Sequence, residues 1–159
     1  MLKKIGDPAP PRGFMLLLFR LPICLYKIKA GFLLGSRFLL LKHWGRKSGT
    51  LKETVVEIID RDDVNGSVYV ASGFGDKSQW FKNISANPNV VVVLKNKARD
   101  AKSEILPTDQ AEIVLRRYAA KNPKLMKAVA RLSGYEMDGT DEDVLAFSQV
   151  IKIIRFVLV

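Results

Sequence analysis

The chain has 159 residues, 48% of them hydrophobic and 26% charged, with 26 Lys/Arg against 16 Asp/Glu and a formal charge of +10. That length buries a core of ordinary size, and the balance excludes a disordered or low-complexity protein. A single cysteine, Cys24, and a single histidine, His43, exclude an internal disulfide and a Cys/His metal site, and they favour a reducing cytoplasm.

Residues 1–52 carry 11 Lys/Arg against one acid, Asp7, while residues 53–159 carry 15 Lys/Arg and 15 Asp/Glu, so the whole excess lies in the first third. An anionic cofactor tail, an acidic membrane or a nucleic acid would each suit such a segment. Its basic residues alternate with aliphatic runs and match no recognised DNA- or RNA-binding pattern, so no nucleic-acid partner is expected.

In chain order, residues 1–13 mix Lys3, Lys4 and Arg12 with Gly6, Pro8, Pro10, Pro11 and Gly13, a composition that resists regular structure. Residues 14–34 are apolar but broken by Arg20, Pro22, Lys27 and Lys29. The uninterrupted run Phe14 to Phe19 is six residues, far short of the roughly 20 that span a bilayer. Arg20 also interrupts what a signal peptide would keep apolar. The reading is an amphipathic helix or two that either packs on the protein or lies in a membrane interface. Residues 1–35 thus form a basic, apolar leader and helix, and 36–159 a single domain.

Strands follow at Arg37–Trp44, Glu53–Asp60 and Ser67–Gly73, the last two joined through an Asn65-Gly66 turn. Asn89–Lys95 reads as a strand buried on both faces and Ala98–Ile105 as a polar, edge-like one. Five strands before residue 106 predict a small barrel or a strongly curled sheet, with peripheral helices. Asp76 with Gln79 predicts a capping box opening a helix that ends at Asn87-Pro88. Further helices are expected from Asp109, from Asn122-Pro123 (burying Leu125, Met126, Val129 and Leu132, closed by Gly134) and from Thr140 with Asp143, before a last strand in Gln149–Val159.

Two loops carry candidate chemistry. Gly45-Arg46-Lys47-Ser48-Gly49 brackets charge-assisted donors between glycines, which suits a phosphate or carboxylate, although a plain polar hairpin turn fits the same residues. Ala71-Ser72-Gly73-Phe74-Gly75 leads a strand into a helix, where backbone donors can meet an anion or a planar heterocycle, and a simple connection is the alternative.

Leu39-Leu40-Leu41 followed by Gly45 to Gly49, then Tyr69 to Lys77, Trp80-Phe81-Lys82-Asn83-Ile84 and Ala86-Asn87-Pro88, together resemble the nitroreductase-family deazaflavin-dependent oxidoreductases, across nearly the whole chain. The resemblance implies a split β-barrel of the flavin-reductase and pyridoxamine-phosphate-oxidase type, α+β and mainly β. It implies reduced deazaflavin coenzyme F420 as hydride donor, with Leu41 and Lys42 among the cofactor-binding residues and Arg46, Lys47, Ser48 and Gly49 of the Gly45 to Gly49 loop at its phosphodiester-oligoglutamate tail. Thr54, Val55 and Val56 would lie along the ring, and Ala71, Ser72, Gly73, Phe74, Gly75, Lys77, Trp80 and Asn83 would form the second wall. The chain departs from many relatives in having Lys52, Val55 and Val56 where they place an arginine and a Pro-Leu pair, and Phe74 between the glycines of the second turn.

The acceptor expected is small, apolar and electron-poor: a quinone, nitroaromatic, activated alkene or unsaturated lipid. No catalytic residue is nominated, since hydride transfer itself needs no acid or base, and Ser72, Tyr118 and Tyr135 stand as candidate proton relays. Three alternatives stay open: FMN in the same barrel, a non-enzymatic carrier of apolar ligands, and peripheral membrane contact through residues 14–34. Such barrels often pair, so a homodimer is an open expectation.

Overall fold

The structure, a computed structural model, describes residues 1–7 and 37–159. The expected helix over 14–34 and Cys24 lie outside the described residues. Eight strands and four helices are present among them: β1 (Lys3–Lys4), β2 (Phe38–Trp44), β3 (Leu51–Asp62), β4 (Ser67–Ser72), α1 (Gln79–Ala86), β5 (Asn89–Leu94), β6 (Lys97–Ile105), α2 (Thr108–Lys121), α3 (Pro123–Leu132), β7 (Tyr135–Glu136), α4 (Asp141–Ser148) and β8 (Lys152–Leu158). Six strands close into an antiparallel barrel in the order β2-β3-β4-β8-β6-β5.

Alternation along the strands makes two cores. Leu39 and Leu41 of β2, Val68 and Val70 of β4, Val92 of β5 and Ile154 and Phe156 of β8 point into the barrel, and α1 plugs it with Phe81 and Ile84. The intervening residues Ile59, Tyr69 and Ile153 point outward and are covered by Val114, Leu115 and Tyr118 of α2, Met126 of α3 and Val144 and Phe147 of α4. Each such side chain taken out of water contributes about 1.5–3 kcal/mol, so two layers suffice to hold a barrel with a polar exterior.

Several expectations are corrected. The 97–105 strand is not an edge: β6 pairs with β5 on one side and β8 on the other, because the sheet closes, and its polar residues are simply its solvent face. No capping box opens α1. Asp76 sits in a 3-10 turn, Gly75–Lys77, and the helix begins at Gln79 with Ser78 as N-cap and no side-chain capping bond. The Ser78 hydroxyl is instead engaged by Ser72 at 3.2 Å. Leu132 is 50% exposed and not buried with Met126 and Ala130: it is the last residue of α3, and Gly73 beside it has no side chain to cover it. The first residues of the stretch expected to resist structure form β1, paired with β7. Thr140 does cap α4, accepting from the Asp143 N–H at 3.2 Å.

The β3–β4 ladder matters most for the site. β2 pairs with Leu51–Glu57, whereas β4 pairs only with Ile58–Asp62, with a bulge between Ile58 and Asp60. Beyond Val70, β4 pairs with β8 alone. The two strands therefore part, and among the described residues the outer edge of Leu51–Glu57 has no strand beside it. Every second N–H and C=O of that stretch is directed into the split.

Candidate cofactor site

The hairpin between β2 and β3 builds the first half of the site. Gly45 N–H donates to the Thr50 carbonyl and Gly49 N–H to the Gly45 carbonyl, both at 2.8 Å. Gly49 sits at φ +67°, and a Cβ on Gly45 would lie 2.4 Å from Ser48 Oγ, so the turn is compact for lack of side chains. Ser48 Oγ is itself 2.8 Å from Thr50 Oγ1. Lys47, Ser48 and Gly49 are exposed at the tip.

Arg46 is held from beneath by α1. Its backbone N–H and its Nη1 donate to Asn83 Oδ1 at 3.1 and 3.0 Å, and Nη1 and Nη2 both donate to Gln79 Oε1 at 3.1 Å. Both acceptors are neutral amide oxygens, so the guanidinium is oriented while its charge is left uncompensated. Asn83 Nδ2 in turn donates to Nδ1 of His43 at 3.1 Å. An amide nitrogen only donates, so Nδ1 accepts and the imidazole proton is on Nε2; flipping the amide would set its NH₂ against two Arg46 donors. His43 is 3% exposed, and burial, with Lys52 nearby, lowers its pKa from 6.5 to about 4.

The second half is the turn after β4. Ser72 is wholly buried and donates to the Gly75 carbonyl at 2.9 Å, which fixes Gly73 to Gly75 against the start of α1. Its hydroxyl is thus spent inside the protein, which argues against a relay role. Trp80 lies half-buried, edge-on to Phe81 at 6.3 Å between ring centroids. Tyr135 lines a cavity of about 100 Å³ behind this turn, together with Ser72, Gly73 and Phe147. Tyr118 is buried on α2 and donates to Glu57 Oε1 at 3.2 Å; Arg37 reaches the same oxygen at 3.0 Å. Burial and the Glu57 carboxylate push the Tyr118 phenol well above its ordinary range, so it is a reluctant proton donor.

The candidates therefore divide. Arg46, Lys47, Ser48 and Gly49 share the hairpin tip, Thr54, Val55 and Val56 stand on the stretch of β3 that pairs with β2 but not with β4, and Ala71 to Gly75, Lys77 and Trp80 lie at the end of β4 and the start of α1. Leu41 does not join them: it is 0% exposed inside the barrel, opposite Thr54. Lys42 faces outward and pairs with Glu53 at 3.7 Å. Asn83 is 5% exposed and has its amide committed to Arg46 and His43. Sequence reasoning missed His43 and Gln79 as parts of this site. The alternation Leu39, Leu41, His43 was the available signal, since it sets His43 on the inward face.

A cradle closed by two glycines, an arginine without a counter-carboxylate and an open strand edge fit an anion attached to a flat, amide-bearing ring. The model of the F420H(2)-dependent quinone reductase family matches residues 27–133. The chain belongs to that family. It is 30% identical over 86 residues to a Mycobacterium tuberculosis protein assigned as an F420H(2)-dependent quinone reductase, covering 53% of this chain and 71% of that one. Among solved structures it is similar to an F420-H2 dependent reductase, FDR-A (TM-score 0.50, 19% identity, 76% of this chain and 93% of that one). It is also similar to a Listeria innocua protein assigned as a pyridoxamine 5'-phosphate oxidase (TM-score 0.51, 12% identity, 84% and 93%). These structures show the split-barrel fold. The protein is an F420-dependent reductase, its cofactor is coenzyme F420, and neither the FMN alternative nor the non-enzymatic carrier is needed.

Proposed function

We propose that this reductase passes a hydride to a small apolar, electron-poor acceptor, with a quinone the first choice and nitroaromatics, activated alkenes and unsaturated lipids after it. The observation that carries the placement of the cofactor is Arg46, oriented by Gln79 and Asn83 through neutral oxygens only. A held but unneutralised guanidinium binds phosphate or carboxylate without first paying for side-chain order. Lys47 and Lys52 add charge at the same tip, and Ser48 a neutral donor. The edge Thr54 to Val56 supplies backbone donors and acceptors to the ring, and the turn Gly73 to Gly75 closes the opposite wall. When bound, coenzyme F420 supplies the hydride; the protein's share is to orient the ring, exclude water and leave an apolar approach for the acceptor. A membrane-dissolved quinone would suit the apolar 14–34 segment, which lies outside the described residues. No helix among the described residues is long and apolar enough to cross a membrane.

The test is a fluorescence titration with coenzyme F420 on the wild type and on an Arg46→Ala, Lys47→Ala variant, followed by turnover with menaquinone, a nitroaromatic and an enone. Loss of two charge-assisted contacts is expected to weaken binding at least about 100-fold. Equal binding by both proteins would sink the cradle assignment, and turnover on the enone but not the quinone would replace the acceptor.

A further inference from the structure

We propose that Asn83 and His43 are positioning residues that fix Arg46 while leaving its charge free, so that Asn83 acts on the anionic tail of the cofactor through Arg46 and not by touching the cofactor. This deepens, and rests on, the assignment of the Gly45–Gly49 hairpin as the tail cradle. Asn83 is the only described residue that holds Arg46 by both backbone and side chain, at 3.1 and 3.0 Å. Its own orientation is set by His43, whose Nδ1 accepts its remaining amide hydrogen bond at 3.1 Å. The line of contacts runs from the barrel interior to the hairpin tip, and its inner members are 3% and 5% exposed. An ion pair would hold an arginine more firmly but would cancel the charge that a phosphate or carboxylate needs. A neutral amide, itself held by a neutral imidazole, gives order without neutralisation.

The discriminating variant is Asn83→Asp. Its carboxylate still accepts from the Arg46 N–H and guanidinium, so the hairpin stays in place, but the charge is paired. Affinity for coenzyme F420 is expected to fall roughly 10-fold or more, with KM rising and kcat little changed. Affinity for the tail-less deazaflavin, which lacks the phosphate and glutamates, stays at the wild-type value. NMR of the sole histidine should show it titrating at higher pH, because a carboxylate replaces its amide neighbour. His43→Ala should weaken coenzyme binding, and His43→Asn, whose Oδ1 takes the place of Nδ1, should restore it relative to alanine.

Wild-type coenzyme affinity in Asn83→Asp overturns the proposal. Equal weakening of the coenzyme and the tail-less deazaflavin also overturns it, since Asn83 would then touch the ring. An Arg46→Ala variant that binds the coenzyme normally would instead remove the cradle reading itself, whatever the Asn83 variants do.

Discussion

Replacing His43 with asparagine should abolish a defined band of acid sensitivity. The folded protein keeps the imidazole neutral because it is 3% exposed and has Lys52 nearby. Its pKa drops from 6.5 to about 4. Below pH 6.5 the unfolded chain takes up a proton that the folded chain refuses, so stability is intact above that pH and declines as pH falls toward 4. At ~1.4 kcal/mol per pH unit the loss approaches about 3 kcal/mol at the bottom of the window. That is a large part of the 5–15 kcal/mol typical of a domain. Asparagine keeps an acceptor for Asn83 and cannot titrate. Urea unfolding at half-unit steps from pH 7.5 to 4, read as the difference between wild type and His43→Asn, isolates the contribution because all other groups cancel. NMR titration of the folded wild type gives the pKa directly, with no assignment problem, since the chain has one histidine. A pH-independent difference between the two proteins, or a histidine titrating near 6.5 when folded, would refute the reasoning.

Tyr118→Phe should remove an alkaline sensitivity of opposite sense. The phenol is held protonated by burial and Glu57, so wild-type stability is full below pH 10 and falls above it, and denaturation at pH 9 to 11 should show a steeper decline than in the variant. Thr140→Ala removes the only side-chain cap bond among the described helices and should cost about 1 kcal/mol in chemical denaturation. Phe156→Ala empties a fully buried position of the barrel and should cost about 3–5 kcal/mol, measured in the same way. Gly45→Ala drives Ser48 Oγ away from Thr50 and should lower the thermal midpoint only slightly, by about 1 kcal/mol of stability, while weakening coenzyme binding in a titration.

The barrel was legible because its strands alternate or run apolar over short lengths, and the three C-terminal helices because Pro123, Thr140 and the Ala111, Val114, Leu115, Tyr118 stripe are local signals. Closure was not legible: a polar outer face on β6 reads the same whether its neighbour is solvent or β8, since both leave alternate residues wet. The failed capping box has a similar cause. The Asp76-x-x-Gln79 spacing reports a local preference, and here Asp76 is taken into a 3-10 turn while the Gln79 side chain accepts from Arg46. The two glycine loops stood out individually, but the parting of β3 from β4 depends on where each pairing ends and left no local mark in the sequence. The contrast between Asn83 as a wall of the site and Asn83 as a buried support turns on one hydrogen bond to a residue 40 positions away.

The uneven charge of the sequence has a structural counterpart. Of the basic residues from 37 to 52, Arg37 is paired with Glu57 and Lys42 with Glu53, both partners on the facing strand β3. Arg46, Lys47 and Lys52 have no carboxylate within salt-bridge distance among the described residues, and all three are at or next to the hairpin tip. Pairing the flanks confines the free charge to the hairpin end of β3, the end at which the proposed function puts the cofactor tail, with the ring along Thr54 to Val56. Contacts at the tip are solvent-exposed and screened by salt, whereas backbone bonds along the edge are not. If the proposed placement holds, the two halves of the cofactor are held by forces of different kind, and raising ionic strength in the coenzyme titration should loosen the tail while sparing the ring.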